Sequence, residues 1–231
     1  MGCWIACSLA LVLAIAAGAP AGAAPAEDAV MPLGLYTTAK ARSLATSHRP
    51  ELLKLNDDIY HCMPWVEVRQ DGIGFRTPRW AQRDERYLSV WILIDQHDDG
   101  RFAAVQQERR ASAMFSRYGV NMMRRMAALP GVAADPDVYG FSIVLSWPKP
   151  GTNGRPWVEP VNETLALFVD TVTALEFLAR RLPAEQFTNR AKFFVFDGKV
   201  ELGRLPLEVW EDSFVETFKL KDYQLATGKT C

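Results

Sequence analysis

No charged side chain occurs before Glu27, and the net charge of the whole 231-residue chain is only −1. The near-zero balance excludes a general nucleic-acid binder, which needs an excess of cations to displace phosphate counterions. Histidine and cysteine are scarce, at three and four residues. The signatures H-E-x-x-H, C-x-x-C and G-x-G-x-x-G are absent, so no zinc peptidase, dithiol or dinucleotide motif is present. Gly140-Phe141-Ser142-Ile143-Val144 covers only half of a G-x-S-x-G elbow, and it sits in continuous strand rather than at a strand-to-helix turn. Beyond the N-terminus, no stretch is apolar for the roughly 20 residues a membrane span needs. No catalytic residue and no cofactor is therefore assigned.

What is present belongs to a folded domain. Apolar residues make up 49% and charged residues 23%, which places the chain among globular proteins rather than disordered ones. The arginine-rich stretch from Arg69 to Arg125 is interleaved with acids such as Asp84, Glu85 and Glu108, a mixed-sign solvated surface.

The uncharged leader reads as an export signal. Leu9 to Ala17 is a compact apolar run, followed by two Ala-x-Ala sites, Ala21-Gly22-Ala23 and Ala24-Pro25-Ala26. Small side chains at −3 and −1 suit the signal peptidase. Residues 1–26 are expected to be a signal peptide cut after Ala23 or Ala26, and residues 27–231 a single domain in the periplasm or outside the cell. No basic residue precedes the apolar run, and a start at Met31 would remove the signal altogether. After cleavage only Cys62 and Cys231 remain, and in an oxidising compartment they are expected to pair.

Periodicity orders the mature chain. Thr37 to Ser47 reads as a short helix, and a longer one begins at Arg49-Pro50 and stops before Pro64. Trp65 to Arg76 predicts a hairpin turning at Asp71-Gly72. Thr77 to Glu85 is a polar loop. Tyr87 to Asp95 is apolar and β-rich, a central strand buried on both faces, with Trp91 in the core. A long helix is predicted from Gly100 to Tyr118 with Gly119 ending it, then a shorter one from Asn121 to Leu129. Val138 to Trp147 is a strand. Asn162 is expected to cap a long amphipathic helix reaching Leu182. Lys192 to Leu202 reads as a hairpin around Asp197-Gly198, and Trp210 to Leu220 as a strand. The expected fold class is α+β, a mostly antiparallel sheet with two long helices packed on one face.

Two side-chain sets suggest metal chemistry. Asp95, His97 and Asp99, followed by Gly100, resemble the first half of a calcium loop. Imidazole is a poor calcium ligand, however, and the twelfth position is Gln106, so helix capping by Asp98 and Asp99 competes as an explanation. Asp57 and His61 stand four apart on a helix and would share one face, but two ligands do not make a site. Trp80 and Trp157 lie in polar or Pro-rich loops, where a large ring either folds back on the core or lines a binding surface. The expected function is thus a non-catalytic exported domain that binds an unknown protein or small ligand. A metal-assisted hydrolase or metal-stabilised domain is the alternative.

Overall fold

A computed structural model describes residues 25–63, 66–95, 100–151, 161–204 and 207. Six strands form one sheet in sequential order: β1 (Val66–Arg76), β2 (Arg86–Ile94), β3 (Val138–Pro148), β4 (Asn162–Asp170), β5 (Lys192–Asp197) and β6 (Val200–Arg204). Every neighbouring pair is antiparallel except β2 and β3. That exception follows from the connection. Parallel strands need a long crossover, and the segment between β2 and β3 supplies one made of helices.

Two helices precede the sheet, α1 (Ala39–Ser47) and α2 (Arg49–Cys62). Thr38 caps α1 by accepting from the Ala41 N–H at 3.3 Å, and Pro50 occupies the first turn of α2, where a missing N–H costs nothing. The crossover holds α3 (Gly100–Ala103), α4 (Gln107–Met114), a π-helical turn (Phe115–Gly119), α5 (Val120–Ala127) and α6 (Pro130–Ala134). After β4 come α7 (Thr171–Leu178) and α8 (Ala184–Arg190). One hydrophobic core joins helices and sheet. Alternate residues of the strands enter it, as with Leu88, Val90 and Ile92 of β2 and Phe141, Ile143 and Leu145 of β3. Rings bind the later helices to the same layer: Phe187 of α8 stacks on Phe177 of α7 at 4.1 Å and lies parallel to Phe115 at 5.9 Å, while Phe115 meets Phe193 of β5 edge-on at 5.1 Å.

The fold class is α+β with a mostly antiparallel sheet and helices on one face, as expected. Several elements differ. The stretch around Asp71-Gly72 is not a hairpin turn but a bulge within the single strand β1, where Arg69 to Gly72 stand opposite Trp91 alone. A type I′ turn needs positive φ at both central residues; Asp71 has φ 53°, but Gly72 is not among the positive-φ glycines. Gly119 does not end its helix. Its φ is −65° and α5 continues from it. A side chain there would meet the Phe115 ring at 2.6 Å, so close packing explains the glycine. The predicted helix over 162–182 is strand β4 followed by the short α7, and the cap is Asp170, whose carboxylate accepts from the Thr173 N–H at 2.8 Å. Of the two expected long helices, the one from Gly100 to Tyr118 is split into α3 and α4, with the residues from Gln107 running on through the π turn to Ala127, and the other is a strand over its first nine residues. The Lys192 to Leu202 hairpin forms as β5 and β6, with Gly198 at φ 59° in its turn. The expected strand over 210–220 lies outside the described residues. No helix among those residues is long and apolar enough to cross a membrane.

Candidate ligand-binding site

The sheet face opposite the helices carries the site. Alternation sends Tyr87 and Trp91 of β2, Ser142 and Ser146 of β3, Thr164 and Phe168 of β4 and Phe194 of β5 to this face. Trp91 is therefore a partly buried residue of the outer face rather than of the main core. Its indole N–H donates to Ser146 Oγ at 3.1 Å, Ser146 meets Thr164 Oγ1 at 3.0 Å, and the Arg69 guanidinium lies 4.0 Å over its ring.

The loop between β1 and β2 folds over this face and places Trp80 on it. The Trp80 ring meets Phe168 edge-on at 4.5 Å and lies tilted against Phe194 at 5.0 Å, with Lys192 Nζ 5.0 Å from its centroid. It is nevertheless 39% exposed. Beside it opens a cavity of about 420 Å³ whose walls include Trp80, Tyr87, Tyr139 and Phe168 together with Arg83, Glu85, Asp170 and Lys192. Tyr87 is its buried floor: desolvation, then the neighbouring Tyr139, Glu85 and Asp170, push its hydroxyl far above the ordinary phenol range. Tyr139 leans on Tyr87 at 5.2 Å and leaves 48% of its surface open. The site thus offers aromatic rings, two kinds of cation and two carboxylates. That set can hold a molecule by stacking and hydrogen bonding; no described lining residue pairs a nucleophile with a base.

A second cavity, of about 380 Å³, opens at the carboxyl ends of the parallel strands β2 and β3, between Leu93, Asp95, Trp147, Pro148 and Asn162. Trp147 in its wall reaches a buried ion pair. Glu163 of β4 is 0% exposed and Arg110 of α4 only 9%. Arg110 Nε donates to Glu163 Oε2 at 2.9 Å and a second guanidinium nitrogen donates to Oε1, a two-pronged contact. The Trp147 indole N–H donates to Oε2 at 2.8 Å, and Arg110 also donates to the Val105 carbonyl. Desolvation pushes the nearby Tyr118 hydroxyl up to about 12, with Arg117 pulling it down and the Asp95 carboxylate pushing it up.

The predicted metal ligands are only partly in view. Asp95 directly follows β2 and lines the second cavity, while His97 and Asp99 lie outside the described residues. Asp57 and His61 do meet: His61 Nδ1 is 3.0 Å from Asp57 Oδ1 and 2.9 Å from the Asp57 carbonyl. No third ligand joins them, since no group of three or more His, Cys, Asp or Glu residues placed for a metal occurs among the described residues. Cys62 ends α2 and is buried; Cys231 and Trp157 lie outside the described residues.

Sequence reasoning singled out no role for His48. It is buried where α2 begins, and its Nε2 lies 2.9 Å from Asp135 Oδ2, tying α2 to the loop after α6. Burial raises the Asp135 carboxyl, but the hydrogen bonds from His48 and the Asp137 N–H and the charges of His48 and Lys40 outweigh it, so its pKa is lowered. The stability this carboxylate contributes is present above its unfolded pKa and disappears as pH falls through the folded one.

Compared with protein families, with characterised proteins and with solved structures, the chain matches none.

Proposed function

We propose that this chain is an exported, non-catalytic binding domain whose contact surface is the Trp80 cavity. One observation carries the reading. A large ring from a polar loop packs against both Phe168 and Phe194 yet stays 39% exposed in the wall of a cavity. The volume falls within the roughly 300–1,000 Å³ usual for small-ligand sites. A ring needed only for the core would be covered; a ring needed only for solubility would not be tryptophan. In an NMR fragment screen of the purified chain, hits are expected to shift the Trp80 indole N–H and the Tyr139 amide. Trp80→Ala is expected to abolish those hits while the cooperative melt persists. Hits gathered elsewhere, or an unfolded variant, would defeat the reading.

Export belongs to the same proposal, with residues 1–26 as the signal and Cys62 paired with Cys231. Asn56, buried in α2, donates to the Ala26 carbonyl at 3.0 Å, which supports cleavage after Ala23 over cleavage after Ala26. N-terminal sequencing of native protein is expected to begin at Ala24, and intact mass to fall by two hydrogens relative to the reduced chain. A native chain beginning at Met1 or Met31, or one with two alkylatable thiols, would overturn this part.

A further inference from the structure

We propose that the Trp80 cavity takes a neutral saccharide. The inference rests on reading that cavity as a binding surface and adds the chemical class of the ligand.

Two features of the walls select the class. First, charges of both signs face the space. Arg83 and Lys192 are cations, Glu85 and Asp170 are anions, and the remaining cation, Arg190, already pairs with Glu176 at 3.3 Å. A phosphate or carboxylate would be drawn to Arg83 and Lys192 but repelled by Glu85 and Asp170, and a polyamine would meet the reverse. A neutral molecule escapes both penalties. It must also supply donors to the carboxylates and acceptors to the guanidinium and ammonium groups, since a desolvated, unpartnered charge is costly. Hydroxyls do both at once. Vicinal hydroxyls present pairs of such groups at the spacing that carboxylate and guanidinium side chains accept in two-pronged fashion.

Second, the half-exposed Tyr139 ring, backed by Tyr87, presents a platform that the sheet does not cover. Aromatic faces carry negative charge density. The C–H faces of a pyranose are flat, apolar and weakly positive, so they suit such a ring while the hydroxyl edge meets the charged rim. A purely apolar ligand would meet none of Arg83, Glu85 and Lys192, nor the Asp170 oxygen that capping α7 leaves over, and a planar aromatic one would use the rings but not the rim. A polyol with an apolar face uses both.

The test titrates the full purified chain by NMR with neutral disaccharides (maltose, cellobiose, trehalose and N,N′-diacetylchitobiose), and in parallel with inorganic phosphate and with spermidine. At least one neutral disaccharide is expected to shift the Tyr139 amide and the Trp80 indole N–H saturably. Added salt should leave that affinity unchanged, because no net charge is neutralised. Tyr139→Ala is expected to weaken it roughly 2- to 10-fold through loss of the stacking platform. Tyr139→Phe should retain it, and both variants should fold because this side chain is half exposed. Should phosphate or spermidine alone move these resonances, the saccharide assignment fails while the cavity stands as a binding surface. Should none of the probes move them, the assignment fails, and the fragment screen decides separately on the cavity.

Discussion

Glu163→Gln is expected to lower the stability of the domain by about 3–5 kcal/mol, because it leaves the Arg110 guanidinium charged and uncompensated in the interior. Glutamine keeps the shape and one acceptor, so the loss reports charge rather than volume. Few single changes should matter more against a total stability of roughly 5–15 kcal/mol. The double variant Arg110→Met, Glu163→Leu is expected to recover most of the loss, since removing both charges removes the desolvation penalty with the attraction. Urea midpoints at unchanged slope measure all three proteins. A loss below about 1 kcal/mol in Glu163→Gln, the cost of an ordinary exposed pair, would mean that Arg110 is adequately solvated by the Val105 and Ala103 carbonyls it also contacts. Trp147 sharpens the argument. Its indole N–H donates to the same carboxylate oxygen, so the pair fixes a core ring as well as two charges. The network joins α4, β3 and β4, and its Trp147 also lines the second cavity.

Gly140→Ala is the second large effect. A methyl group there would lie 2.1 Å from the Val169 carbonyl oxygen and 2.8 Å from Asp170 Cα, both backbone atoms of the adjoining strand. Neither can swing aside as a side chain tip does, so the β3–β4 ladder must separate locally. The expected loss is about 3 kcal/mol, at the upper end of overpacking costs. Gly34→Ala serves as the control: nothing lies within 4 Å of its added carbon, and its thermal midpoint should stay at the wild-type value. A Gly140→Ala protein as stable as the control would show that the two strands lie farther apart than described.

Much of the architecture can be read from local pattern, and the failures have physical causes. β2 and β3 are legible because continuous apolar runs suit strands covered on both faces, and the Asp197-Gly198 hairpin because its turn chemistry is local. β4 reads as a helix because Leu165, Phe168, Val169 and Val172 recur at helical spacing. The competing alternation of Leu165, Leu167 and Val169 is masked at its start by Glu163, an inward-facing charge that looks like a surface residue until Arg110 is placed against it, 53 positions away. No local rule supplies that partner. Free ladder edges on β3 and β5 then decide in favour of strand. The site divides the same way. Trp80 stands out as a tryptophan in a polar loop that also holds Arg83, yet Tyr139, Phe168 and Phe194 come from three separate strands, and only the assembled sheet brings them to it. The Asp57–His61 contact is visible as an i,i+4 pair; whether a third ligand approaches is not a property of the helix.

The lone parallel seam between β2 and β3 has a consequence for how the molecule assembles. Every ladder joins strands consecutive in the chain, but the others do so over shorter connections, β5 and β6 through the two-residue turn at Gly198 and Lys199. The seam instead requires the ends of the whole stretch from Asp95 to Asp137 to meet, and the entropy of closing a loop grows with its length. Non-local pairings of this kind slow folding. Two locally wired halves, β1–β2 with α1 and α2, and β3–β6 with α7 and α8, are therefore expected to form early and to zip together last along this one line. The helices that span the seam would act as its clasp.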